Sequence, residues 1–370
     1  MKKNSNNAKQ KNILIILTGG TICSFANRNG EQESDTQKAE TLIVQNFRNG
    51  DSQFRDEKIV KFKAVRPLDI LSENMTIKHW NTLLNKIKKY DFSKYDGIII
   101  LHGTDTLAFT SSLLSILLAG INKPIFLVSS QLPLYKLEAN GNENFKVAVE
   151  HIIKGIKPNV YVTYRNDELI KNKLKSTMYI HYGSHLLQCS GLSNNFYSDD
   201  MKALKDGEFF KGKKAECEKP LLYDIGKLEP CVLNINPYVG IDYSRFSLKG
   251  IKAVLHHTYH SSTMSVNPYH KCPAAQVEQT LDYTKDSIMH LKKRCDSANR
   301  KIDLFIEPCN PENTYLYETT GILIRGNVFT SWRTTSEMTY VKLLIGCSLG
   351  YSGIELQNFL NDEINNEFIR

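Results

Sequence analysis

At 370 residues, with 41% hydrophobic and 23% charged content, the chain has an ordinary globular composition and length for about two domains. Its net charge of +8, from 47 basic and 39 acidic residues, is scattered along the sequence instead of gathered in a stripe, so nucleic-acid binding is not expected. No apolar run reaches the ~18–20 residues of a membrane span, and the basic start "MKKNSNNAKQKN" leads only into "ILIIL". The eight cysteines are widely spaced and form no CxxC pair, so the expectation is a cytoplasmic protein with reduced thiols and no metal site.

The first apolar run, "NILIIL" (12–17), stops at Thr18-Gly19-Gly20-Thr21. The segment "LDILSENMT" then offers Ser72 and Glu73 behind a short apolar stretch, and "GIIIL" (97–101) runs into His102-Gly103-Thr104-Asp105-Thr106. A helical period over 106–120 follows. "PIFLVS" (124–129) leads to Ser129-Ser130-Gln131, a second helical period covers 142–156, and "NVYVTY" (159–164) is the next strand. Unbroken Ile, Leu and Val without alternation indicate strands covered on both faces. Strand alternating with helix indicates βαβ units, hence an α/β fold with a doubly wound, mainly parallel sheet.

The charged stretch 196–228 breaks this rhythm and is expected to connect a large N-terminal domain (1–195) to a smaller C-terminal α/β domain (229–370). In the latter, "CVLNI" (231–235), "KAVLH" (252–256) and "DLFIE" (303–307) are strands and 336–350 is a closing helix.

Ligands of open α/β sheets bind beyond the carboxyl ends of the strands, which is where the polar clusters fall. Each cluster also has a plain structural use: Gly19 and Gly20 can serve a tight turn, and Thr104 or Asp105 can cap the following helix. The phosphate-loop patterns GxxxxGK[ST] and GxGxxG are absent. Thr21 suits a nucleophile, because glycines let backbone approach a substrate closely and a threonine hydroxyl attacks a carbonyl once deprotonated. Thr104 beside Asp105 at a helix start suits positioning of water or a proton, with backbone N–H groups available to an oxyanion. Together they describe acyl transfer, such as amide hydrolysis, without a cofactor.

The motifs "TGGTI", "SENMT", "HGTDT", "SSQLPL" and "VLNINPYVG", in that order, resemble the bacterial-type L-asparaginase family and are most similar to its cytoplasmic type I branch. The resemblance implies an asparaginase-like fold of two α/β domains, assembled as a homodimer or homotetramer. It implies a Thr21 nucleophile and an activating set that includes Thr104 and Asp105. Ser72, Glu73 and Asp105 would hold the amino-acid part of the substrate, with Gly20, Gly103 and Ser130 alongside. The implied reaction takes L-asparagine or a close small amide to L-aspartate and ammonia through a threonine acyl-enzyme.

The sequence also departs from this pattern. An ungapped match starting at Asn166-Asp167 puts Thr177 where the family has its activating lysine, and Lys175, two positions earlier, is the candidate replacement. The segment after Thr21 contains no tyrosine, and "HHTYHSSTMS" (256–265) replaces a Gly- and Asn-rich turn with His256, His257 and His260. These histidines are expected to be turn and packing residues. Three functions stay open: an active amide hydrolase, an impaired relative that binds a small amino-acid-like ligand as a sensor or regulator, and an altered hydrolase whose histidines supply the missing base.

Overall fold

The computed structural model describes residues 9–205, 207–215, 217–266, 283–312 and 315–369; the first eight residues and Cys272 lie outside them. The chain divides into two units, one reaching Asp224 and including Ile364–Asn366, the other holding Ile225–Glu363 and the residues from Glu367 onward. Among the described residues no helix is long and apolar enough to cross a membrane, and the described cysteines are free of disulfides.

The first unit contains β1 (Lys11–Leu17), β2 (Ser24–Ala26), β3 (Gln32–Ser34), α1 (Thr36–Asn49), β4 (Val60–Val65), α2 (Ile77–Ile87), β5 (Gly97–Leu101), α3 (Leu107–Leu117), β6 (Ile125–Val128), α4 (Gly141–Lys154), β7 (Val160–Ile170), β8 (Lys173–Tyr182) and β9 (Lys202–Leu204). Among the described residues seven strands form one sheet in the order β4-β1-β5-β6-β7-β8-β9, parallel from β4 to β7 and antiparallel beyond. Ile13, Ile15 and Leu17 pack with Ile43 and Phe47 of α1 and Phe145 and Val149 of α4. The alternate residues Leu14 and Ile16 are equally inaccessible, so β1 is covered on both faces. Each such side chain contributes about 1.5–3 kcal/mol relative to exposure. That burial is why the run carries no polar alternation.

α2 buries Trp80, Leu83, Leu84 and Ile87, one stripe at helical spacing, and Thr76 with His79 closes its first turn as a capping box. The Trp80 indole N–H donates to Thr110 Oγ1 of α3 at 3.0 Å. This fixes the chain just downstream of Ser72 and Glu73. Part of the expected connection 196–228 has another place: residues to Asp224 cluster with the first unit, and Lys202–Leu204 form β9 against β8. The buried side chains of Phe196 and Leu222 account for this.

The second unit contains β10 (Val232–Ile235), β11 (Ala253–His257), α5 (Ile288–Asp296), β12 (Asp303–Glu307), α6 (Glu318–Arg325), β13 (Phe329–Thr330), α7 (Ser336–Leu349) and α8 (Gly353–Asn361). These strands form a parallel sheet in the order β10-β11-β12-β13. Its fully buried ion pair joins Lys342 Nζ of α7 to Glu367 Oε1 at 2.6 Å, and Lys342 also donates to the carbonyls of Leu360 and Asp362.

Glu307 ends β12 beside His257 of β11, is 1% exposed, and has one carboxyl oxygen without a hydrogen bond among the described residues. Burial pushes its pKa up to about 8, with the Glu337 charge adding to the shift and the Thr339 and Ser336 hydroxyls opposing it. A raised carboxyl pKa means that the folded state holds the proton more tightly than the unfolded chain. Glu307 therefore favours folding fully below the ordinary value of 4.5, and this contribution is lost as pH rises towards 8. Urea titrations across that window are expected to show stability falling with pH, and Glu307→Gln should flatten the dependence and stabilise the protein at the alkaline end.

Candidate active site

β1 and β5 are neighbours in register, Leu17 opposite Leu101, so the turns that follow them leave the sheet side by side. Thr18 closes the strand: its N–H and its hydroxyl both donate to the Leu101 carbonyl, at 3.0 Å each. Gly19 (φ 107) and Gly20 (φ 81) then turn the chain in a region of backbone space that side chains disfavour. Space demands glycine as strictly as the dihedrals do. A Cβ on Gly19 would lie 2.0 Å from the Ile70 carbonyl oxygen, and one on Gly20 would lie 2.2 Å from Gly103 Cα. A Cβ on Gly103 would in turn meet Ser72 Oγ at 2.3 Å. Three segments distant in sequence therefore touch through atoms that only glycine leaves exposed.

Ser72, buried, joins them chemically. Its hydroxyl donates to Asp105 Oδ2 at 2.7 Å and accepts from the Asp105 N–H at 3.2 Å, while its carbonyl accepts from the Thr106 hydroxyl at 3.0 Å. Glu73 follows on the surface. Thr21 opens the short helical turn Thr21–Cys23, half-buried, and its hydroxyl makes no hydrogen bond within the described residues. The contrast with Thr18 is plain: one threonine hydroxyl holds the strand end, and the other has no structural partner among the described residues.

Thr104 and Asp105 line a cavity of about 290 Å³ with Gln131, Tyr164, Gln188, Cys189, Ser190, Gly191, Ser193 and Asn194. Gln188 braces its rim, donating to the Thr104 carbonyl at 2.8 Å and accepting from the Ala108 N–H at 3.3 Å. His102, buried just before Gly103, bonds through Nδ1 to the Gly103 carbonyl, and burial lowers its pKa to about 4, so it stays neutral. Burial also raises the Cys189 thiol.

The remaining expected site residues lie elsewhere or are used locally. The Ser130 hydroxyl donates to the Leu132 carbonyl at 2.6 Å and accepts from the Gly141 N–H at 3.1 Å, so it fastens the turn into α4. Lys175 is exposed on β8 opposite Glu168, five residues upstream of Ile180. It makes no ion pair or hydrogen bond within the described residues and does not line the Thr104–Asp105 cavity. Thr177 is half-buried opposite Asn166. In the second unit His256 Nε2 pairs with the Tyr243 hydroxyl at 2.8 Å and His257 Nε2 with Asn234 Oδ1 at 2.6 Å; burial lowers the pKa of both, leaving them neutral packing groups. His260 is exposed in the turn beyond β11, so it does not pack into the core as they do. One group among the described residues has metal-ligand spacing, His185 with Asp199 and Asp200. The imidazole bonds Asp199 at 2.6 Å through Nδ1 and the Asn366 carbonyl through Nε2, so both of its nitrogens are already in use.

Gln131 stands in the sequence cluster "SSQ", whereas Tyr164, Gln188 and Cys189 carry no motif signal. Tyr164 reads as the last residue of an apolar strand, and the other two sit in a stretch whose spacing matches nothing.

Residues 12–187 match the asparaginase N-terminal domain family. The match lies wholly within the first unit. The chain is 31% identical over 137 residues to L-asparaginase 1 of Escherichia coli, a match that spans 37% of this chain and only 38% of that protein. It is 29% identical over 232 residues to a glutamyl-tRNA(Gln) amidotransferase component of Methanococcus maripaludis, covering 62% of this chain and 52% of the relative. The solved L-asparaginase of Thermococcus kodakarensis superposes with a TM-score of 0.71 over 97% of this chain and 99% of its own, at 20% identity, so the two-domain asparaginase fold extends across both units.

In this unit the junction of glycines sets the positions of both threonines. Gly20→Ala is expected to reduce any turnover by ~100-fold or more, since a misplacement of about 1 Å is enough for that, and to lower the melting temperature. Gly155→Ala is the control: Gly155 has φ 84 but no atom within 4 Å of its Cβ position, so stability should fall while turnover per folded molecule holds.

Proposed function

We propose that the protein is an amidohydrolase that converts L-asparagine, or a close small amide, to L-aspartate and ammonia. One observation carries this reading: the Thr21 hydroxyl, unpartnered among the described residues, stands beside the glycine junction through which Ser72, Asp105 and Thr104 are fixed. The names of the relatives, an asparaginase and an amidotransferase component, support amide chemistry.

In this mechanism Thr21 Oγ attacks the side-chain amide carbon, and the C–N bond breaks as nitrogen takes up a proton and leaves as ammonia. Water then cleaves the Thr21 ester, releasing the free acid and restoring the hydroxyl. Asp105, anchored by Ser72 and otherwise facing solvent, holds the substrate ammonium, with Glu73 adding negative charge nearby. Thr104 positions the water and carries the proton.

A second reading has its own support, because among the described residues the cavity beside Thr104 and Asp105 is lined by no cationic side chain, and Lys175 points its charge into solvent. A positioned acid–base group contributes ~10²–10⁴-fold to rate, so a chain without it is either a slow enzyme or a binder of the same ligand class.

Ammonia release from asparagine, glutamine and small amides, measured beside Thr21→Ala and Thr177→Lys, separates the two. The hydrolase reading expects slow turnover that Thr21→Ala abolishes and Thr177→Lys accelerates. Wild type and Thr21→Ala equally inactive, with calorimetric asparagine binding intact, would establish the binder instead.

A further inference from the structure

Tyr164 of β7 is fully buried, yet its hydroxyl has no hydrogen-bond partner among the described residues. A buried phenol ordinarily finds one, because leaving it unmade forfeits a bond to water. The ring is held rigidly: it packs edge-on against Phe196 at 4.8 Å, and Phe196 is itself locked by a reciprocal pair, its N–H to Asn166 Oδ1 at 3.0 Å and its carbonyl from Asn166 Nδ2 at 2.8 Å. The residue therefore cannot swing away to satisfy the hydroxyl. Instead it forms a wall of the 290 Å³ cavity that Thr104 and Asp105 also line.

The neighbouring polar groups are engaged with one another. Gln131 donates its side-chain amide to Asp167 Oδ2 at 3.0 Å. Asn140 lies close enough to the phenol to interact with it but does not meet it in hydrogen-bond geometry; its oxygen accepts from the Gln131 N–H at 2.9 Å and its nitrogen donates to the Arg165 carbonyl at 2.8 Å. The frame around the cavity is thus braced internally, and Tyr164 is the group left over. Burial drives the phenol far above its ordinary pKa, so it stays protonated and acts as a donor, never a base. The Asp105 carboxylate, by contrast, can only accept. One cavity therefore offers an acceptor on one wall and a donor on another.

We propose that Tyr164 is a specificity-determining residue: its hydroxyl donates to an oxygen acceptor of the bound small amide, such as a carboxylate, while Asp105 takes the ammonium end. The inference rests on the small-amide reading of the same site and names the ligand class within it: an amphoteric amide carrying both an ammonium group and a second oxygen acceptor. Tyr164→Phe removes only the hydroxyl and, because that group is buried without a partner among the described residues, should hold or raise the melting temperature.

The test compares wild type and Tyr164→Phe with asparagine and with 3-aminopropanamide, which keeps the ammonium and the amide but lacks the carboxylate. Loss of one hydrogen bond to a charged acceptor should weaken asparagine ~10- to 100-fold, seen as a raised KM with kcat little changed, or as a raised dissociation constant by calorimetry. Affinity for 3-aminopropanamide should be the same in both proteins. Unchanged asparagine affinity in Tyr164→Phe, an equal loss for both ligands, or no asparagine binding to wild type overturns the proposal. Asparagine binding that depends on Tyr164 without any ammonia release would overturn the hydrolase reading and leave this one standing.

Discussion

The contact on which the site depends is between two backbones. β1 and β5 leave the sheet in register, and the turns after them meet at Gly20 and Gly103 with no side chain between. Parallel neighbours ~4.8 Å apart leave little room above the sheet for anything larger than a Cα hydrogen. That closeness lets Ser72, arriving from a third segment, reach Asp105 with its hydroxyl and Thr106 with its carbonyl. A methyl group at either glycine would separate all three segments, so the chemistry-bearing residues are fixed by two residues that carry no chemistry.

The hydroxyls around this junction fall into two classes. Those of Thr18 and Ser130 are bonded to backbone groups within the fold, at the end of β1 and at the start of α4. Those of Thr21 and Thr104 have no such bond among the described residues, and both residues are half-exposed, so water satisfies them in the unliganded protein. Tyr164 belongs to neither class, being both buried and unbonded. A polar atom deep in a cavity wall with no protein partner is a standing cost, removed only when something enters the cavity.

Much of this is legible in the sequence, for a physical reason. β1, β5 and β6 are buried on both faces, so their apolar runs are unbroken and their ends abrupt, and the polar clusters after them fall at the carboxyl edge of the sheet. The outer part of the sheet is harder to see. "KLKSTMYIHY" forms β8, but its first half is exposed, and the hairpin into it turns at Lys171 (φ 48) and Asn172 (φ 60) without a glycine. β9 lies in a charged stretch that composition alone would give to a connection. A two-residue spacing along the strand suggests Lys175 for the site, yet the arm that carries it extends beyond the level of Leu101, into solvent. Tyr164 is hidden because an aromatic residue closing an apolar strand looks like core, and only its orphaned hydroxyl distinguishes it.

The glycine junction by itself does not decide between catalysis and binding, since a binding site would need Ser72 and Asp105 held in the same way. Thr21 weighs on that question, because the fold asks nothing of its hydroxyl. Removing the Thr18 hydroxyl would leave one fewer bond at the strand end, whereas alanine at position 21 would disturb no side-chain hydrogen bond among the described residues. A hydroxyl that stabilises nothing among the described residues, seated where the backbone has been cleared for close approach, supports the proposed hydrolase over a site that only binds. The cavity wall beside Thr104 carries no cation among the described residues, and Thr21 itself does not line that cavity. Under the proposed hydrolase reading, these two features together favour slow turnover over a site that only binds.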